Sequence, residues 1–208
     1  AVTAPIKPCF IRTSSGRTAK ERRTTLIQEA SEGGLAQALN LPVPVVPLEL
    51  PAYQRKENWG ASETLYHLVR RVVSPVQQRQ TREGRAARCN ILGPTALGFR
   101  HRDDLREIRG LLQEMGIEIG VVMPWEASVQ DLARLPEADF NVVLYPEIAM
   151  TTAQWLERQC KQPFTRCIPI GVQGTRDFIR EVATLAGLDV SSTLERHDHA
   201  SWYARSVD

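Results

Sequence analysis

Apolar and polar residues alternate along this chain in two rhythms, most regularly between residues 89 and 190. Short runs rich in β-branched residues and bounded by Gly or Pro predict buried strands over 89–93, 117–123, 140–145 and 167–170. Between them, apolar residues recur at helical spacing. Leu105, Ile108, Leu111, Leu112 and Met115 share one face of a helix that Asp103 or Asp104 is placed to cap and Gly116 to close. Ser128 offers the N-cap of a brief helix through Leu135. Thr151 or Thr152 begins another with Trp155 and Leu156 inward, and 175–186 forms a fourth that ends at Gly187. Strand and helix in strict alternation predict the α/β class, a Rossmann-like doubly wound parallel sheet with helices on both faces.

The chain before residue 89 is less regular. Residues 1–31 are irregular, because Pro5, Pro8 and Ser14-Ser15-Gly16 break any period. A short helical stretch over 35–39 precedes Pro42-Val43-Pro44-Val45-Val46-Pro47-Leu48, whose prolines suit only a sheet edge or a strand end. After a loop over 51–59, Leu65, Leu68, Val69 and Val72 predict a helix over 61–73. Residues 74–88, with Pro75, three glutamines and several arginines, have linker composition. The expected organisation is therefore the remnant of a first α/β domain over 32–73, a linker over 74–88 and a second Rossmann-like domain over 89–190. Residues 191–208 would begin a connection onward.

Composition narrows the function classes. With 208 residues, 42% hydrophobic and 24% charged, the chain has the balance of a soluble globular protein. No apolar run approaches the roughly 20 residues that cross a bilayer, and the start lacks the order of a signal peptide. The net charge is +2. Residues 1–30 hold six of the basic side chains against Glu21 and Glu29, in a segment with no apolar period, so no folded basic face for nucleic acid is implied. Cys9, Cys89, Cys160 and Cys167 are scattered, form no CxxC pair and suit a reducing cytoplasm. Cys89 and Cys167 lie in apolar runs, as small buried thiols do.

In a doubly wound sheet, ligands sit beyond the carboxyl ends of the strands, which directs attention to loops 93–102, 124–127, 146–150 and 171–174. Gly93-Pro94-Thr95-Ala96-Leu97-Gly98 follows a strand and precedes a helix, as a phosphate-cradling loop would. It is neither a P-loop nor a GxGxxG fingerprint, and simple turn geometry explains its glycines as well. Gly171-Val172-Gln173-Gly174 has GxxG spacing, which also suits a strand-to-helix turn with Gly174 near the N-cap. His197-Asp198-His199 lacks a third ligand nearby and reads as a polar loop. Trp155 fits an apolar helix face, whereas Trp59, Trp125 and Trp202 fall in predicted loops, where indoles line pockets or lie half-buried. Asp208, after Trp202-Tyr203-Ala204-Arg205-Ser206-Val207, is by local chemistry a solvated acid.

Three long stretches in the right order carry a resemblance. They are Leu41 to Ala61, including Tyr53-Gln54-Arg55-Lys56-Glu57-Asn58-Trp59-Gly60, then Asn90-Ile91-Leu92-Gly93-Pro94-Thr95-Ala96-Leu97-Gly98-Phe99, then Trp202 to Asp208. Together they resemble the B subunits of the light-independent (dark-operative) protochlorophyllide reductases, a nitrogenase-like family. The resemblance runs from about Gly33 to Asp208. Residues 1–31 depart from the family pattern apart from an echo in Thr25-Leu26-Ile27-Gln28-Glu29, and the chain is expected to be an interior, truncated piece of a longer polypeptide.

The resemblance implies several Rossmann-like α/β domains, of nitrogenase component 1 type, in an N2B2 heterotetramer with the N subunit. An ATP-hydrolysing iron–sulfur reductase dimer, which uses Mg-ATP and draws on ferredoxin, passes electrons to it. The electrons reduce the C17=C18 bond of ring D in protochlorophyllide to give chlorophyllide a. It implies a [4Fe–4S] cluster shared with the N subunit, whose one ligand from the B subunit lies in an N-terminal segment without a counterpart here, so no cluster ligand is assigned to this chain. It also matches Asp208 to the carboxylate that donates a proton to the macrocycle, a sensible role because adding electrons to a conjugated ring calls for a nearby acid. The implied compartment is the cytoplasm, or the stroma if the gene is plastid-borne. One component of a chlorophyllide a reductase and a non-catalytic Rossmann-like binding or scaffolding module are the alternatives.

Overall fold

Buried apolar runs and amphipathic helices assemble here into one three-layered unit. The computed structural model of the chain describes residues 55–75 and 84–189, together with Val46, Leu48, Leu50, Arg82, Ser191, Thr193 and Leu194. In chain order the elements are α1 (Glu57–Val72), β1 (Arg88–Leu92), α2 (His101–Glu114), β2 (Glu118–Met123), α3 (Val129–Arg134) with a 3-10 turn (Leu135–Glu137), β3 (Phe140–Val143), α4 (Pro146–Cys160) and α5 (Gly171–Ala186). The strands are parallel, in the order β2-β1-β3. Strand order therefore reverses between β1 and β3.

Successive strand residues point to opposite faces, and both faces of this sheet are covered. Cys89, Ile91, Phe140 and Val142 face a core completed by Leu105, Leu112, Phe178 and Ile179 of α2 and α5. Leu92, Met123 and Val143 face the other, completed by Leu65 and Val69 of α1, Leu132 of α3, and Ala149, Ala153 and Leu156 of α4. Strands buried on both sides read as unbroken apolar runs, which is why they were legible. The helix over 61–73, assigned in sequence to a first domain, packs here on α4 and shares its core.

Two polar residues interrupt those runs, and they meet. Asn90 and Asn141, both fully buried, stand side by side on β1 and β3, with the Asn90 amide donating to Asn141 Oδ1 at 2.9 Å and to Leu135 O at 3.0 Å. Asn90 Oδ1 accepts the backbone N–H of Val121 at 3.1 Å, which accounts for the register shift between β1 and β2 at this point. The amide of buried Gln162 extends the chain of bonds, donating to Leu135 O at 2.8 Å and Ala138 O at 2.6 Å. At the amino edge Arg85 grips the buried carboxylate of Asp139 through two bonds of 2.8 Å, and Asp139 also accepts the Arg88 N–H at 2.9 Å. A two-toothed, charge-assisted pair of this kind holds geometry as well as charge.

Several boundaries differ from the sequence reading, each for a local reason. The α2 N-cap is Arg100, in the left-handed region at φ 56°, and Asp103 and Asp104 lie in the first turn without capping it. α4 begins at Pro146 rather than at Thr151 or Thr152, since proline's missing N–H and fixed φ suit the first helical position. α1 begins at Glu57, which places Trp59 in a helix, not a loop. α5 begins at Gly171, so Gly174 is inside the helix instead of at its cap. The fourth strand over 167–170 does not form. Only Phe164 bridges to Asn141, and Thr165 Oγ1 accepts the Val143 N–H at 3.0 Å in place of a backbone carbonyl. The N–H groups of Arg166 and Cys167 bind the Glu181 carboxylate, and Pro169 has none to offer a sheet. Ser128 caps α3 as expected, its hydroxyl and N–H both bound to Asp131 at 2.6 and 2.8 Å. The helix over 35–39, the strand over 42–48 (apart from Val46 and Leu48) and seven of the fifteen linker residues, 76–81 and 83, fall outside the described residues.

Replacing Asn90 by Ala strands the Val121 N–H and the Asn141 carbonyl in a dry core, and the expected cost is about 3 kcal/mol, measured by urea unfolding followed by circular dichroism. A loss below about 0.5 kcal/mol would show that the amides do not act together. The Cys89 thiol is pushed up to about 12 by burial and by nearby Asp139. Because the thiolate is the nucleophile, iodoacetamide at about pH 8 is expected to leave Cys89 unmodified in the folded chain and to label it once urea is added, as peptide mass mapping would read out.

Candidate functional site at the carboxyl edge

The strand exits at the order reversal are drawn together tightly. Gly93 leaves β1 at φ 116°, and a Cβ there would stand 2.9 Å from both Cβ and N of Tyr145 at the end of β3, so no side chain fits. The Gly93 N–H donates to Met123 O at 2.8 Å and the Trp125 N–H to Pro94 O at 2.9 Å, tying the exits of β1 and β2 as well. Tyr145 packs against both cores, and its hydroxyl donates to the Asp104 carboxylate of α2. Burial first, and that hydrogen bond second, push the phenol well above its usual range, which keeps it protonated. The crevice that a doubly wound sheet offers at its order reversal is thus filled by the chain's own tyrosine.

This arrangement bears on the two readings of loop 93–98. Of its amides, Gly98 N–H is used within the turn, donating to Thr95 O at 3.1 Å, and Gly93 N–H goes to Met123 O, while the first turn of α2 carries Asp103 and Asp104. Two carboxylates at a helix start repel an anion that the dipole would otherwise favour. Gly93 meets the demand of the tight turn that its φ and the nearness of Tyr145 impose.

Beside the loop, Trp125 forms a hinge of rings. The His101 ring stands edge-on to it at 4.4 Å between centroids, and the Arg102 guanidinium lies 5.4 Å from its centre. His101 Nδ1 lies 2.8 Å from Gly98 O, a carbonyl that only accepts, so Nδ1 carries the proton. Glu126, in the left-handed region at φ 63°, accepts from Trp125 Nε1 at 3.1 Å and from Arg109, and the Arg109 bond holds its carboxyl below the ordinary range. With the loop pinned in this way, Leu97 and Phe99 project outward at 76% and 89% exposure. Ile170 and Val172, at the start of α5 on the same edge, are 78% and 56% exposed. The edge therefore offers an apolar rim around a closed crevice.

Asp208, His197-Asp198-His199, Cys9 and Trp202 lie outside the described residues. Trp155 is in the α4 core as expected, and Trp59 on α1 has the Arg55 guanidinium 5.8 Å from its ring centre. The described cysteines do not fit an iron–sulfur cluster. Cys89 and Cys160 are buried in different cores on opposite faces of the sheet, and the Cys167 thiol is raised by burial and by Glu181, whereas iron is bound by thiolates. Among the described residues no three His, Cys, Asp or Glu side chains are grouped to hold a metal. No helix of the described residues is long and apolar enough to cross a membrane. Tyr145 and Asp104, which close the crevice, escaped the sequence reading, because the only signal was an aromatic residue at a strand end.

Comparison with known proteins places this geometry in a family. The profile described as nitrogenase component 1 type oxidoreductase matches residues 16–208, so the match begins within the stretch 1–31 that the sequence reading set apart. The chain is 63% identical over 190 residues to the B subunit of the light-independent protochlorophyllide reductase of Bradyrhizobium sp. (strain BTAi1 / ATCC BAA-1182), covering 88% of this chain and 36% of that one. It is 60% identical over 190 residues to the corresponding B subunit of Rubrivivax gelatinosus, covering 88% and 35%. The chain therefore spans a little over a third of the length of these relatives. Among solved structures, nitrogenase Cp1 at pH 5 superposes with a TM-score of 0.56 at 19% identity, over 72% of this chain and 29% of that one, a likeness of fold. By the profile that covers nearly all of its length and by the doubly wound sheet it shares with nitrogenase, the chain belongs to the nitrogenase component 1 type oxidoreductase family.

Proposed function

We propose that this chain is part of the B subunit of a light-independent protochlorophyllide reductase, and that the complete subunit takes part in reducing the C17=C18 bond of protochlorophyllide to give chlorophyllide a. The observation that carries the reading is the 63% identity over 190 residues to a protein of that name. The partners that come with it are the N subunit, an ATP-hydrolysing reductase dimer and ferredoxin, and the cofactor is a [4Fe–4S] cluster. Since the described cysteines do not suit that cluster, no step of the reaction is routed through them. Reduction of a carbon–carbon double bond needs two electrons and two protons, and the chain's own contribution in this reading is one proton, from Asp208. A carboxylic acid held at a macrocycle delivers that proton as negative charge builds on the ring, and is then reprotonated from solvent.

The test reconstitutes the reaction in darkness. A full-length B subunit carrying residues 33–208 of this chain, mixed with the N subunit, the reductase, ATP, dithionite and protochlorophyllide, is expected to form chlorophyllide, followed by its red absorption band. No product, with the partners active on their own B subunit, would refute the assignment. In the same assembly Asp208→Ala is expected to lower turnover about 100-fold or more, the usual weight of a general acid, with pigment binding kept within about threefold. Turnover unchanged by the substitution would remove Asp208 from the chemistry.

A further inference from the structure

The segment between α4 and α5 starts a parallel ladder on the side of β3 away from β1 and abandons it after two bonds. Asn141 N–H donates to Pro163 O at 2.9 Å, and Thr165 N–H donates to Asn141 O at 3.0 Å. In a parallel ladder the next rungs would be Val143 N–H to Thr165 O and Cys167 N–H to Val143 O. Side chains intercept both donors. Thr165 Oγ1 takes the Val143 N–H at 3.0 Å, and the Glu181 carboxylate of α5 takes the Cys167 N–H at 2.8 Å. The same carboxylate, through both of its oxygens, takes the Arg166 N–H at 2.9 and 3.0 Å. The Cys167 thiol donates to it as well. Beyond these residues the Ile168 carbonyl rests on α5, where a Cβ on Gly174 would stand 3.0 Å from it.

We propose that residues 165–168 form a strap with two seats: the Glu181 carboxylate holds the strap on α5, and loss of that carboxylate closes it onto β3 as a fourth parallel strand. Bond strength decides which seat is taken. A hydrogen bond to a charged acceptor is roughly twice as strong as one to a neutral carbonyl, and Glu181 collects two backbone amides where β3 offers an acceptor to one. With the carboxylate gone, Val143 O stands next in line for the Cys167 N–H, while the Arg166 N–H, pointing the other way along a strand, turns to water. The limits of the strap are set by its neighbours. Pro169 has no N–H to extend a ladder past Ile168, and Gly171, in the left-handed region at φ 70°, supplies the bend that the chain needs before α5. Glu181 is thus a positioning residue: the seat it selects fixes where the chain enters α5 at the carboxyl edge. The inference concerns conformation and does not depend on which reaction the family member performs.

Amide hydrogen exchange resolved by residue, measured by NMR on the 208-residue chain, tests it. In the unsubstituted chain both Arg166 and Cys167 amides are expected to exchange at least about tenfold more slowly than in an unstructured peptide, because Glu181 holds both. Exchange of either at the unstructured rate would overturn the proposal. In Glu181→Leu the two amides are expected to part company. Arg166 loses its protection, Cys167 keeps it within about threefold, and a cross-strand nuclear Overhauser contact appears between the Cys167 amide and β3. Loss of protection at both amides would show a segment that merely frays, and protection retained at both would show that the carboxylate is not what holds it. Either result refutes the strap, as does a Cys167 contact with β3 already present in the unsubstituted chain. Arg180→Ala, at the adjacent exposed position of α5, is the control and is expected to leave both amides unchanged. Were Glu181→Leu to unfold, the isosteric and neutral Glu181→Gln is read by the same criterion.

Discussion

The buried amides of Asn90, Asn141 and Gln162 are the constraint on which this fold turns. A parallel sheet covered on both faces has no water to satisfy stray backbone groups, so every departure from a regular ladder must be met by a side chain. Asn90 meets one at the shifted register with β2, where its oxygen takes the Val121 N–H, and Gln162 meets two more at the carbonyls of Leu135 and Ala138. The same three residues bind β2, β1, β3 and the segment after α4 to one another in one register. An apolar replacement at any of them would leave partners unpaired, which sets these positions apart from the interchangeable Val, Ile and Leu around them.

That register fixes the carboxyl edge. With β1 and β3 adjacent and parallel, Gly93 and Tyr145 must leave the sheet side by side, and the absence of a side chain on Gly93 lets the tyrosine close the gap. The tyrosine then reaches Asp104, and the β1–α2 loop is left to display Leu97 and Phe99. The amino edge is finished by ion pairs of Arg85 and Arg88, whereas the carboxyl edge combines the Tyr145–Asp104 and Arg109–Glu126 contacts with exposed Leu97 and Phe99.

Strands β1, β2 and β3 and the inward faces of α1, α2 and α4 were legible in sequence because burial on both sides leaves continuous apolar runs, and helix burial leaves a period near 3.6 residues. Helix starts were not. α1, α4 and α5 each begin four to six residues ahead of the expected point, where exposed or polar first-turn residues blur the periodic signal that the core imposes later in the helix. At α2 the acidic pair resembled a cap but occupies the first turn, since Arg100 takes the left-handed geometry that redirects the chain. The run over 167–170 has strand composition, yet Glu181 captures the amides that a strand would need.

By itself, then, the amino-acid sequence determined the α/β class, the order of the three strands and the helices between them, the apolar faces of α1, α2 and α4 and, through three long matching stretches, the family. These are properties of periodicity and of identity along the chain, and both survive without coordinates. Tertiary structure alone decided which polar residues in apolar runs would find one another, which turn would be closed by Tyr145, and which apolar residues would be left outside. Those outcomes depend on contacts between positions far apart in the chain, 51 residues in the case of Asn90 and Asn141, and no local pattern encodes a distance across a sheet.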